Sequence, residues 1–117
     1  MRGDETVEPR RTLLRTVADS LLDADGDLPR EMRAAAFASA AAAAGRPVPD
    51  AAPLPEPLAA FVAKVTEEAY RIDDADVDAL RAAGYSDDAI LEAVLATAVG
   101  AGLARLEIGL GAIDGSR

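Results

Sequence analysis

The last quarter of the chain carries one long helical pattern, and this pattern constrains the fold more than any other feature of the sequence. Between residues 90 and 113 the apolar side chains recur at spacings of three and four, which is the period of an α-helix. At about 1.5 Å per residue, a helix of this length would measure roughly 40 Å. No other segment alternates in the manner of a β-strand. The sequence therefore predicts an all-α fold with a long C-terminal helix.

A proline-rich connector divides the remainder of the chain. Residues 46–57 contain five prolines, which favour extended backbone over helix. On the N-terminal side, residues 11–45 form a predicted pair of helices (11–24 and 29–44), preceded by a polar segment, 1–10, that is expected to be flexible. On the other side, residues 58–113 form a C-terminal helical unit. The N-terminal pair alone has too little core, so residues 11–117 are predicted to form a single domain of about five helices.

Two helix starts in the C-terminal unit carry the residues of an N-terminal cap. Asp73 can cap a short helix that has Asp76 at its third position, and Gly84 suits the left-handed residue after that helix. Ser86 can cap the long helix that follows. Each cap is flanked by an apolar pair of the hydrophobic-staple type, Ile72 with Val77 and Tyr85 with Ile90.

Small residues line two faces of the long C-terminal helix. Ala96, Gly100 and Ala104 share one face, and Ala98 and Gly102 share another. Small residues at four-residue spacing let two helices approach closely. The pattern predicts close helix packing, either within one subunit or between subunits.

The composition excludes several classes of chemistry. Cysteine, histidine and tryptophan are absent, so the chain has no disulfide, no thiol nucleophile and no Cys or His ligand for zinc. The net charge of −9 argues against binding nucleic acid. Residues 77–90 resemble a helix-turn-helix, but Asp87, Asp88 and Glu92 would face the phosphates. Residues 23–27 lack the glycine and glutamate spacing of a calcium loop. No metal, cofactor or nucleic-acid partner is therefore predicted.

The chain shows no targeting signal. Its first residues are charged and contain no apolar run of signal-peptide length. The longest uncharged stretches, such as the one between Glu92 and Arg105, are shorter than the roughly 20 residues that a membrane span needs. We expect a cytoplasmic protein with no membrane contact, and the Ala, Arg, Asp and Gly usage is typical of bacteria.

Arg105 is the most informative single charge. It lies among glycine, alanine and leucine residues, which predicts partial burial and an ion pair with Glu67, Glu68 or Asp78. A structural ion pair and a ligand pocket are both compatible with this pattern. In the second interpretation, the binding residues would be Glu67, Glu68, Tyr70 and Arg105.

Residues 57–113 resemble the C-terminal half of the carboxymuconolactone decarboxylase / alkylhydroperoxidase AhpD-like family. The resemblance rests on FVAKVT at 61–66, DDADV at 73–77, ALRAAGYSDDAI at 79–90 and the Arg-Leu pair at 105–106. It implies an all-α fold that builds homo-oligomers, often trimers or hexamers. Peroxidase members of that family use a Cys-x-x-Cys pair with His and Glu, and decarboxylase members also rely on His.

The chain lacks the chemistry that this resemblance implies. Residues 34–44, where a redox motif would be expected, read AAAFASAAAAA, so no catalytic residue is carried over and thiol peroxidase activity is excluded. The expected function is a non-redox, homo-oligomeric interaction or accessory module with a protein partner, such as a catalytic relative. The alternative is a small-molecule-binding protein, or a Cys- and His-independent enzyme of the carboxymuconolactone decarboxylase-like type, with a pocket near Glu68, Tyr70 and Arg105.

Overall fold

The computed structural model describes the backbone of residues 2–115 and every side chain in that range except those of 2–8, 10, 11, 14, 114 and 115. The described backbone is helical and contains no strand, which confirms the predicted all-α class. The elements in chain order are α1 (Arg2–Asp23), α2 (Arg30–Ala43), α3 (Leu58–Glu68), a 3₁₀ turn (Ala69–Arg71), α4 (Asp74–Ala82) and α5 (Asp87–Gly115). Residues 44–57 form the predicted non-helical connector.

The first helix starts earlier than predicted. It begins at Arg2 rather than at residue 11, and it continues through Pro9. A proline inside a helix removes one N–H donor but does not by itself end the helix, and the neighbouring Arg and Glu residues are good helix formers. The segment expected to be flexible is thus helical from residue 2. The sequence predicts that Leu14 belongs to the apolar side of this helix, but its side chain lies outside the described residues, as does Met1.

α5 is the central element, and its closest neighbour is α2. The alanines at this contact are fully buried, and they are Ala36, Ala40, Ala93 and Ala96. A Cβ added at Gly100 would lie 2.9 Å from the Cα of Phe37, so the two backbones approach too closely for any larger side chain there. Ala104 on the same face is 2% exposed. The predicted close packing of the 96–100–104 face is therefore confirmed, and it occurs within the subunit.

A second part of the core lies where α3 and α4 meet the start of α5. Its buried members are Leu58, Phe61, Val62, Leu80, Ala89 and Ile90. Both predicted staples pack against this cluster, because Ile72, Val77 and Tyr85 are partly buried on it. The apolar residues of the short α4 are thus held by tertiary contacts rather than by helix propensity alone.

The predicted caps form as expected. The Asp73 carboxylate accepts a hydrogen bond from the N–H of Asp76 at 3.1 Å, and the Asp76 carboxylate accepts one from the N–H of Asp73 at 3.0 Å. Gly84 has a φ of +101°, the left-handed conformation in which glycine is unstrained. The Ser86 Oγ accepts a hydrogen bond from the N–H of Ala89 at 3.0 Å. These bonds satisfy backbone groups that the helix ends would otherwise leave without partners.

In the sequence of α3 and the turn after it, Lys64 and Glu68 are opposite charges four residues apart, as are Glu67 and Arg71, but these charges pair differently in the structure. Lys64 binds Asp76 of α4 at 2.8 Å instead of Glu68, and Arg71 binds Glu68 at 2.8 Å instead of Glu67. The reason is that the 3₁₀ turn follows α3 directly and changes the helical phase before Arg71. Because Glu68 pairs with Arg71, Lys64 pairs with Asp76 and so links α3 to the first turn of α4.

Asp76 gives the protein an acid-sensitive contact. The hydrogen bond from Lys64, with help from the N–H of Asp73, holds the pKa of Asp76 below its ordinary value of 3.8. A carboxyl whose folded pKa is lowered stabilises the fold above its unfolded pKa and loses that contribution as the pH falls through the folded value. Asp76→Asn is therefore expected to lower the urea midpoint at neutral pH. The gap from the parent protein should close as the pH falls below about 4, and a gap that stays constant with pH would contradict this role.

One helix in the described part of the chain, Asp87–Ile113, is long and apolar enough to cross a membrane by length and composition. The uncharged run between Glu92 and Arg105 is too short for a span, but an 18-residue stretch of the helix that includes charged residues is still apolar enough. Half of that window is buried inside the fold, where it packs against α2 and α3. The apolar character of the helix is thus used, at least on one side, for packing within the bundle.

Candidate functional site

The predicted site residues lie on three elements, of which the first two follow each other directly in the chain. Glu67, Glu68 and Tyr70 lie at the end of α3 and in the 3₁₀ turn, and Arg105 lies in the second half of α5. Glu67 is exposed, Glu68 is half-buried and bound to Arg71, and the Tyr70 side chain is 85% exposed. Within the described residues, no hydrogen bond or ion pair joins Arg105 to any of these three side chains.

The prediction that Arg105 is part-buried and ion-paired is wrong. Its side chain is exposed, and the described part of the chain offers it no ion pair. The physical reason lies in the helical phase, because Ala101 and Ala104 turn towards the core while Arg105 is rotated towards solvent with Gly102 and Leu106. Small and apolar neighbours in the sequence therefore did not indicate burial at this position.

Glu92 is a structural residue whose role the sequence did not reveal. Its carboxylate accepts hydrogen bonds from the N–H of Leu28 at 2.8 Å and from the N–H of Asp27 at 3.2 Å. The Asp27 carboxylate in turn accepts a bond from the Ser86 Oγ at 2.8 Å. The turn at residues 24–29 is thus fastened to the first turns of α5. Glu92 is a single glutamate among apolar residues of α5, and this isolation was the sequence signal that could have indicated a structural role.

Arg33 is a buried cation that belongs to the α1–α2 junction. Its side chain is 2% exposed, and one guanidinium nitrogen donates to the carbonyl of Leu21 at 2.9 Å. That carbonyl is among the last of α1, where a positive charge is favoured by the helix dipole. Arg33 therefore has a structural role at the end of α1.

The α1–α5 contact borders a surface cavity of about 290 Å³. Its floor includes Phe37, Gly100 and Ala104, where α2 and α5 approach most closely. Arg15 and Glu107 also line it, and they form an ion pair with each other. These two charges neutralise each other, whereas Arg46, which also lines the cavity, has no ion pair within the described residues.

A stripe of exposed apolar residues runs along α5, and we call it the α5 outer face. It consists of Leu91, Leu95, Ala98, Gly102 and Leu106. Leu91 is 55% exposed, Leu95 is 43% exposed and Leu106 is 40% exposed. The second small-residue face of the sequence, Ala98 with Gly102, lies in this stripe, and a Cβ added at Gly102 would meet nothing within 4 Å. Among the residues that the structure describes, no helix packs closely on this face within the subunit.

The exposed apolar surface continues from α5 onto α1. Val17 is 53% exposed and Leu13 is 63% exposed, and Val17 lines a shallow groove of about 200 Å³ beside the α5 outer face. The other residues of the groove are Val99, Gly102, Leu103 and Leu106. Large contiguous apolar surfaces of this kind mark sites of protein association more often than sites of catalysis. Among the described residues, no cluster of acidic side chains is arranged to hold a metal ion.

In comparisons with known proteins, no protein family, curated protein or solved structure matches the chain.

Proposed function

We propose that this chain is an interaction module that assembles with copies of itself through the α5 outer face. The exposed stripe of leucines on α5 carries the proposal, since Leu91, Leu95 and Leu106 are each 40–55% exposed in the subunit. Fully burying one leucine contributes about 1.5–3 kcal/mol. In a two-fold dimer, both copies of each residue of the stripe lie in the interface. Even partial burial of these side chains would therefore favour association.

The resemblance of residues 57–113 to the AhpD-like family is part of the same proposal. The all-helical bundle and its long last helix are compatible with that family, and the lack of cysteine and histidine makes the module non-redox. The location we propose is the cytoplasm, and the charge of Arg105 on the exposed face of α5 disfavours burial of that face in a lipid bilayer. A helical fold of this kind without cysteine or histidine favours an accessory role beside a catalytic relative.

Small-molecule binding at Glu68, Tyr70 and Arg105 is the less favoured function. Tyr70 is 85% exposed and Arg105 is exposed, so neither side chain is enclosed as a ligand-binding residue usually is. The apolar stripe offers a larger and more continuous surface than this trio.

Leu95→Gln is expected to weaken self-association at least about tenfold, because it removes two copies of an interface leucine from each dimer. Size-exclusion chromatography with light scattering over a range of concentrations measures the effect. Val48→Gln is the matched control, since Val48 is 40% exposed but lies in the connector and is not part of the α5 outer face. Equal association of both variants and the parent protein would contradict the proposed interface.

A further inference from the structure

We propose that the assembly is an antiparallel pair of α5 helices around a two-fold axis, in which Arg105 of each copy faces Asp88 of the other. This inference rests on the proposed self-assembly, and it assigns that assembly a direction, a register and a specific ion pair. Asp88 and Arg105 are both exposed, and neither has a hydrogen bond or ion pair within the described residues.

The first observation is a heptad spacing along the exposed side of α5. We call the six residues of this spacing the seam, and they are Asp88, Leu91, Leu95, Ala98, Gly102 and Arg105. Successive members alternate between three and four residues apart, and all six are exposed. This is the repeat with which two helices pack side by side as a coiled coil. The seam begins and ends with a charge, and its interior is apolar.

The second observation is that the seam is complementary in size to its own reverse. With the two-fold axis midway between residues 96 and 97, Leu91 faces Gly102 of the partner and Leu95 faces Ala98 of the partner. Each large side chain therefore meets a small one, which lets the helices approach closely. The groove that Val17 forms beside Gly102 lies where Leu91 of the partner would insert, and every residue that lines it apart from Gly102 is a valine or leucine.

The third observation is charge complementarity, which selects one register. The same axis places Arg105 opposite Asp88 of the partner at both ends of the seam. A parallel, in-register pair would instead place Arg105 against Arg105 and Asp88 against Asp88, which is repulsive. Shifting the antiparallel register by one heptad places Arg105 against Leu95 or beyond the start of α5. Only the proposed register satisfies both charges and all four apolar positions.

Disulfide trapping tests this arrangement cleanly because the chain contains no cysteine. The double variant Leu91→Cys/Gly102→Cys is expected to form a covalent dimer under mild oxidation. Within one helix these positions are roughly 16 Å apart, so they cannot bridge within a chain. Leu91→Cys alone should not cross-link, since two copies of residue 91 are also separated by roughly 16 Å in the antiparallel pair. An added side chain at Gly102 meets nothing within 4 Å, so the fold tolerates this substitution.

Charge reversal provides the second measurement. Arg105→Asp is expected to raise the dimer dissociation constant about tenfold, because it turns two attractive contacts into repulsive ones. Arg105→Asp/Asp88→Arg should restore parental affinity. Arg30→Asp is the control, since Arg30 is an exposed arginine on α2. Far-ultraviolet circular dichroism verifies that each variant keeps its helices.

The outcomes separate the two proposals. A parent protein that remains monomeric at every concentration overturns the self-assembly itself. A dimer in which Leu91→Cys cross-links on its own, or in which the double charge reversal fails to restore affinity, overturns the antiparallel register and leaves the assembly in place.

Discussion

Gly100→Ala is expected to lower the free energy of unfolding by about 3 kcal/mol. The added Cβ would lie 2.9 Å from the Cα of Phe37 and 3.0 Å from its carbonyl carbon. Those atoms belong to the α2 backbone and cannot rotate away, so α2 and α5 would have to separate. Because α2–α5 is the most extensive helix contact in the fold, the loss spreads through the core.

Gly102→Ala is the matched control for this prediction. It lies one half-turn away on the same helix, where an added Cβ meets nothing within 4 Å. Alanine has the higher helix propensity, so stability should rise by up to about 1 kcal/mol. Urea unfolding of the two variants in dilute solution measures both effects. Equal destabilisation by the two substitutions would show that the α2–α5 contact is looser than described.

Glu92→Ala is expected to lower the free energy of unfolding by about 2–3 kcal/mol, because it leaves two backbone N–H groups without their acceptor. One of them belongs to Leu28, whose side chain is 1% exposed, so water cannot fully replace the carboxylate there. Glu92→Gln should cost about half as much. The two N–H groups bind different oxygens of Glu92, and the amide retains only one of them as an acceptor.

Glu67→Ala is the control for Glu92, since Glu67 is also a helical glutamate but is exposed. Its substitution should change stability by less than about 0.5 kcal/mol. Guanidinium unfolding of the three variants measures the ranking. If Glu92→Ala proved as mild as Glu67→Ala, the turn at residues 24–29 would not depend on α5 for its position.

Local features of the fold were predictable from the sequence because their partners are close along the chain. The Asp73–Asp76 capping box and the left-handed Gly84 involve residues within one helical turn of each other. The long α5 was predictable because its period persists over seven turns. The 96–100–104 face was predictable as a close contact, although the sequence left open whether its partner helix lay within the subunit.

Long-range features were not predictable, for a physical reason that Glu92 and Arg105 illustrate. Glu92 binds residues 64 and 65 positions away, and nothing in the local pattern of α5 points to them. Arg105 has small and apolar neighbours on both sides, yet its rotation about the helix axis leaves it in solvent. Likewise, the change of helical phase at the 3₁₀ turn makes Arg71 pair with Glu68 instead of Glu67. Each case depends on where a side chain points relative to a distant element.

The proposed self-assembly would account for the apolar half of α5 that the bundle leaves uncovered. The face that carries Ala96 and Gly100 is fully used by α2, whereas the face that carries Leu91 and Leu95 has no partner helix within the described part of the chain. The small residues Ala98 and Gly102 on this face would allow close approach of a second helix.

Sedimentation equilibrium of the unmodified protein tests self-assembly through α5 most directly. The subunit mass is 12.0 kDa, so the weight-average mass is expected to rise with concentration towards twice that value, and to stay near 12.0 kDa for Leu95→Gln. A mass of 12.0 kDa for the parent protein at every concentration would contradict the proposed function.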